Sequence, residues 1–139
     1  MVQPDLARVK VNRARTWLDD AESLLARPQD KFMLDVRGRD LATFYLLLAI
    51  QGCIDLSAHW LADAGWEVPD EAGGAFDVLA DRQAIPRAVA DSLRGATGLR
   101  NRIVHGYARV EHGRIHAEAP RGIGAMREFL DTVAREAGL

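Results

Sequence analysis

The stretch from Asp40 to Ala64 constrains this chain more than any other segment, because apolar side chains surround most of it. A surface helix carries one apolar stripe, whereas a helix that is apolar on nearly every side belongs at the centre of a bundle. Asp40 offers a side-chain acceptor suited to capping its start, and Gly65 can end it. The polar exceptions Gln51, Asp55 and His59 recur at four-residue spacing and so form one narrow stripe. The longest apolar run, Leu41 to Ile50 with Thr43 inside it, is soon interrupted by these residues, which makes it too short and too polar for a membrane span.

The flanking segments fit helices packed around that centre. Pro4 and Asp5 suit the first turn of a helix running to about Arg27, with Leu6, Val9, Trp17, Leu18, Leu24 and Leu25 at three- and four-residue spacing. Pro28 ends it, and Gln29 to Arg39, with Gly38, reads as a loop or a short helical turn. Val68-Pro69-Asp70 leads into a helix over about Glu71–Arg82, and Ile85-Pro86 opens another that reaches His105, with Gly106 as its C-cap. Tyr107 to Ala119 is expected as a short hairpin or an irregular link, and Pro120 as the start of a last helix through Ile123, Met126, Phe129, Leu130 and Val133. The pattern predicts an all-α, up-and-down bundle of four to five helices in a single domain over residues 1–139.

Composition narrows the partners. Hydrophobic residues at 48% and charged residues at 27% match a chain that buries a core. A net charge of -2 excludes general coating of nucleic acid, so any RNA contact must use a local basic patch. The single cysteine, Cys53, excludes an internal disulfide and a multi-thiolate zinc site. It lies in an apolar stretch, which points to an inert thiol in a reducing cytoplasm. Met1-Val2-Gln3-Pro4-Asp5 shows no basic region leading into an apolar run, so no secretory signal is expected.

The local patch exists. Arg94, Arg100, Arg102, Arg109 and Arg114 fall within 21 residues, against the single acid Glu111. Arginine binds phosphate oxygens through a planar fork, and His105 within the patch can give and take protons near neutrality. An arginine holding phosphate beside a proton-carrying imidazole can support metal-free RNA cleavage by attack of the ribose 2′-hydroxyl on phosphorus. Helix geometry qualifies this, because Arg100 and His105 stand about 140° apart around an ideal helix, while Asn101 and Arg102 share the face of His105. Either the helix distorts at Gly106, or a second copy of the chain completes the cleft; the homodimer is the favoured expectation. A basic last turn is also what the helix macrodipole favours, and on spacing alone that is the simpler account of Arg102 and His105.

Arg100-Asn101-Arg102-Ile103-Val104-His105-Gly106-Tyr107 resembles the arginine, four residues, histidine, any residue, tyrosine motif of HepT toxins in the HEPN superfamily. Ala64-Gly65-Trp66-Glu67-Val68-Pro69, Ala75-Phe76-Asp77-Val78-Leu79, Ile85-Pro86 and Leu99 resemble the family around it, from about Arg37 to the end. The resemblance implies a dimeric helical bundle and a metal-independent endoribonuclease, acting as the toxin of a toxin–antitoxin pair. It places Arg100 and His105 in the catalytic positions and Asn101 in the polar position after the arginine. Arg94, Arg102 and Arg109 are then candidate RNA contacts. It also implies a nucleotidyltransferase antitoxin of the MNT type that transfers AMP to Tyr107, adding bulk and negative charge beside the cleft. No cofactor is implied. The alternative is a non-catalytic HEPN module that binds or regulates the nucleotidyltransferase, and a third class is a purely structural helical adaptor.

Other residues carry weaker expectations. The family's central helix commonly bears an acidic residue near Asp55, which makes Asp55 a candidate support for the site, while His59 reads as part of a solvated stripe. Asp55 with His59, or His112 with His116, has metal-ligand spacing but no evident third ligand, so no metal site is expected. Trp17, Trp60 and Trp66 read as core or interface anchors, and Arg37 and Arg39 as solvated loop charges.

Overall fold

Six helices account for most of the chain: α1 (Pro4–Leu25), α2 (Gln29–Leu34), α3 (Val36–Ala64), α4 (Gly74–Asp81), α5 (Arg87–His105) and α6 (His112–Glu136). The computed structural model describes residues 3–106 and 109–139, and among these there is no strand. The long helices α1, α3, α5 and α6 form the bundle, and the all-α expectation holds. Cross-links show that α1 runs antiparallel to both α3 and α6. Gln3 at the start of α1 donates its backbone N–H to Asp63 at the end of α3 (3.1 Å), and Arg15 and Arg127 link α1 to α6 through Asp131 and Asp19.

α3 is long and apolar enough to cross a bilayer by length and composition alone. Its packing explains that apolarity otherwise, because it touches all five other helices and buries Leu46, Ile50, Leu56, Trp60 and Leu61 among them. α1 meets it along Ala7, Val11, Ala14, Leu18 and Ala21, a stripe of mostly small residues that lets the two backbones approach. A Cβ on Gly52 of α3 would lie 3.6 Å from the Ala14 methyl. Val9, expected on the apolar face of α1, is half exposed instead. The far side of the core holds Phe76 against Phe129, edge to face at 5.4 Å, with Leu79, Leu93, Met126 and Leu130 around them. Cys53 is buried in the core, and burial pushes its thiol far up from the ordinary range, as expected of an inert group.

α4 begins at Gly74, three residues later than expected, with Gly73 as its N-cap in the left-handed region, and two further boundaries differ from expectation for physical reasons. α3 starts near Val36 and is capped by Asp35, not Asp40: the Asp35 carboxylate accepts the Gly38 N–H at 3.0 Å and pairs with Arg27. Gly38, which resembles a loop residue, is required in this first turn because a Cβ there would collide with the Asp35 carboxylate. The preceding residues form the short helix α2, which seats Phe32 in the core. α6 starts at His112 and runs straight through Pro120, so residues 112–119 are its first two turns and not a hairpin or link. Proline inside a helix forfeits a backbone hydrogen bond. Here Ile115, Ala119, Ile123, Met126, Phe129 and Leu130 keep one unbroken buried stripe across it, and that packing overrides the local preference.

The Asp35 cap yields a pH-dependent prediction. Its hydrogen bond from Gly38, reinforced by Arg27, holds the Asp35 carboxyl below its ordinary value. A carboxylate whose folded-state pKa is depressed stabilises the fold above its ordinary pKa, and loses that contribution as pH falls through the folded value. Asp35→Ala is therefore expected to lower the melting temperature at neutral pH, with the gap from the parent protein closing in acid. Thermal melts across pH check this, and a gap that widens in acid would contradict it.

Candidate functional site

The C-terminal half of α5 presents its charged residues on two different sides. Arg100 faces α3: its Nε donates to Gln51 Oε1 at 3.1 Å, and its Nη1 donates to Asn101 Oδ1 at 2.7 Å. Gln51 in turn donates from Nε2 to Asp55 Oδ1 at 3.0 Å, and Lys10 Nζ of α1 lies 3.8 Å from Asp55 Oδ2. The stripe of polar residues on the central helix thus supports the arginine through an amide, with Asp55 one residue removed from it. Its sequence position does not mark Gln51 as a site residue. The only available signal was its four-residue spacing from Asp55 on an otherwise apolar helix.

Arg102 lies about 160° around the helix from Arg100 and faces α6. With Arg114 and Arg121 it rims a groove of about 780 Å³ between α5 and α6, floored by Leu46, Ile50, Leu99 and Met126. Arg102 and Arg109 also line a small adjoining cavity beside Glu111 and Arg114. Arg94 is engaged elsewhere: its guanidinium meets Glu71 at 3.0 Å and Asp77 at 2.9 Å. The structure therefore does not bring Arg94 into the patch, and it separates Arg100 from Arg102.

His105 is the last residue of α5 and is exposed. The Gly106 N–H makes the last helical bond, to the Arg102 carbonyl at 2.8 Å, and the Gly106 carbonyl in turn accepts the Arg109 N–H at 2.7 Å. Gly106 is the C-cap, as expected, although its φ of -130° is not left-handed. A Cβ at this position would stand 2.9 Å from the Arg102 carbonyl oxygen, so the absence of a side chain is what permits the tight exit. Tyr107 lies outside the described residues.

The start of α6 anchors the far end of this exit. His112 Nδ1 sits 3.3 Å from Thr43 Oγ1, and its Nε2 is 3.6 Å from Asp40 on α3. Desolvation, with Arg39 beside it, holds the His112 imidazole below its ordinary pKa against the pull of Asp40. His116 is committed to the Arg27 carbonyl at 2.7 Å and lies against the Phe32 ring. The two histidines therefore serve packing at separate places. Among the described residues, no three His, Cys, Asp or Glu side chains gather as a metal site.

Arg100 and His105 remain about 140° apart on one chain, because α5 is regular through His105. Three apolar side chains, Leu41 and Phe44 on α3 and Val104 on α5, are more than 40% exposed. Leu41, Phe44, Gln51 and Asp55 fall on one side of α3 by helical spacing. Exposed apolar residues on the side of α3 that also carries Gln51 and Asp55 suit contact with a further surface.

The profile of the family described as "Ribonuclease HepT-like" matches residues 15–133. The mRNA nuclease HepT of Shewanella oneidensis is 24% identical over 106 residues, spanning 76% of this chain and 80% of that protein. A candidate RNase of Archaeoglobus fulgidus is 36% identical over 91 residues, spanning 65% of this chain and 68% of that protein. Among solved structures, the tri-AMPylated HEPN toxin of Shewanella oneidensis in complex with MNT antitoxin shares the fold with a TM-score of 0.85 at 20% identity, over 94% of this chain and 98% of that one. The cytosolic protein YutE of Bacillus subtilis shares it with a TM-score of 0.77 at 16% identity, over 95% and 94% of the two chains. With most of its length matched by the family profile, this chain belongs to the HepT-like ribonuclease family.

Proposed function

We propose that this protein is an endoribonuclease toxin that cuts RNA without a metal, using Arg100 and His105 in a cleft between two copies of the chain. The observation that carries the proposal is the state of Arg100. Two neutral amides hold its guanidinium, so among the described residues three of its five N–H donors and its full charge remain for phosphate. In the reaction, His105 takes the proton of the ribose 2′-hydroxyl as its oxygen bonds to phosphorus. Arg100 stabilises the added negative charge on the phosphorane, and the imidazolium returns the proton to O5′ as the P–O5′ bond breaks. The products are a 2′,3′-cyclic phosphate and a free 5′-hydroxyl. Arg102 and Arg109, on the α6 side, would guide the RNA backbone without reading bases.

Two features favour the shared cleft: the angular separation of Arg100 and His105, and the exposed strip of Leu41, Phe44 and Val104. Burying that strip on its twofold copy would supply the association and place a second motif opposite the first. The family of this chain and the MNT complex formed by its structural neighbour support an antitoxin that transfers AMP to Tyr107.

The test is cleavage of RNA by the purified protein in excess chelator. Undiminished cleavage leaving 2′,3′-cyclic phosphate ends is expected, and loss of cleavage in chelator that returns with a divalent cation would contradict the mechanism. Incubation of the same preparation with its nucleotidyltransferase and ATP is expected to add AMP mass and abolish cleavage. Equal mass gain by Tyr107→Phe would place the modification elsewhere.

A further inference from the structure

We propose that Gln51 is a positioning residue that fixes Arg100 while leaving its charge unneutralised. The inference rests on the nuclease function proposed above. Arg15, Arg27, Arg87, Arg94, Arg114 and Arg127 each pair directly with a carboxylate. The side-chain partners of Arg100 among the described residues are two amides, Gln51 and Asn101.

The amide of Gln51 has one usable orientation. A guanidinium only donates and an ionised carboxylate only accepts, so Oε1 must turn to Arg100 and Nε2 to Asp55. The 3.1 Å and 3.0 Å contacts have that sense, and Lys10 steadies the far side of Asp55. Asp55 thus orients Arg100 through a neutral amide and makes no ion pair with it. With Nε occupied and one Nη1 hydrogen turned to Asn101, the fork that remains is the pair of hydrogens on Nη1 and Nη2 at the end of the side chain. That geometry suits two oxygens of a phosphate. A carboxylate at position 51 would hold the same arginine but compete with phosphate for its charge.

The variants separate placement from charge. Gln51→Ala removes the acceptor and is expected to lower kcat on the order of tenfold, since a misplaced stabilising group acts mainly on the transition state. Gln51→Glu keeps an acceptor but pairs the charge, and is expected to raise KM on the order of tenfold and to weaken the salt dependence of RNA binding. Asp55→Asn is expected to lose activity by itself and to add little in the Gln51→Ala background, because both act through one connection. Melting temperatures of all variants report folding. A readout independent of catalysis is the Arg100 Nε–H exchange rate by NMR, expected to be slow in the parent, fast in Gln51→Ala and slow in Gln51→Glu.

Parent kcat and KM in Gln51→Glu, or additive losses for Gln51→Ala and Asp55→Asn, would overturn the proposal. So would fast Arg100 Nε–H exchange in the parent protein. If the parent cuts no RNA, the nuclease function fails, and slow Nε–H exchange that Gln51→Ala abolishes would still uphold the positioning of Arg100.

Discussion

Arg100→Ala and His105→Ala are each expected to lower RNA cleavage by about a hundredfold to ten-thousandfold while the fold persists. A positioned proton-transfer group contributes about 10²–10⁴ in rate. Removing one preorganised donor to a developing oxyanion costs about 10²–10³. Both residues sit on the outer part of the bundle, His105 exposed and Arg100 half-buried, so neither truncation opens the core. Loss of Arg100 does leave the Gln51 oxygen without its donor, which adds a modest stability cost that His105→Ala does not share. Initial rates on a short RNA, read with melting temperatures, check both. Cleavage that survives both substitutions would remove the chemistry from this site.

Phe129→Ala is expected to cost about 3–5 kcal/mol of folding stability, the range for an aromatic truncated in a packed core. Phe129 is fully buried on α6 and meets Phe76 of α4 edge-on at 5.4 Å. Its loss creates a void and removes the ring against which Phe76 of α4 packs. Against a total stability of about 5–15 kcal/mol for a domain, a change of that size leaves the protein marginal. Urea unfolding measures it, and a loss below about 1 kcal/mol would contradict the packing described for this corner.

Much of the bundle is legible along the chain. The apolar surround of residues 40–64 announces the central helix, and the proline before Arg87 and the glycine after His105 bracket α5. Where expectation departs, a tertiary contact outweighs a local signal. Asp35 and Gly38 look like loop residues until the carboxylate is seen closing on the glycine N–H. Pro120 reads as a helix start, yet the buried stripe on either side of it carries α6 back to His112. The site divides in the same way. Arg100, Asn101 and His105 stand out as a motif within six residues. The partner that holds Arg100 lies 49 residues away on another helix, and no spacing rule links the two. Arg94 reads as part of the same basic patch along the chain, but Glu71 and Asp77, 23 and 17 residues earlier, fold against it and take its charge.

The most direct test of a cleft shared by two chains is a mixing experiment. Arg100→Ala and His105→Ala chains, each inactive as homodimers, are co-expressed and purified together, then assayed for RNA cleavage. If Arg100 of one chain works with His105 of the other, each mixed dimer regains one intact site, and roughly a quarter of parental activity is expected when half the dimers are mixed. Mixed dimers as inactive as either parent variant would contradict the shared cleft.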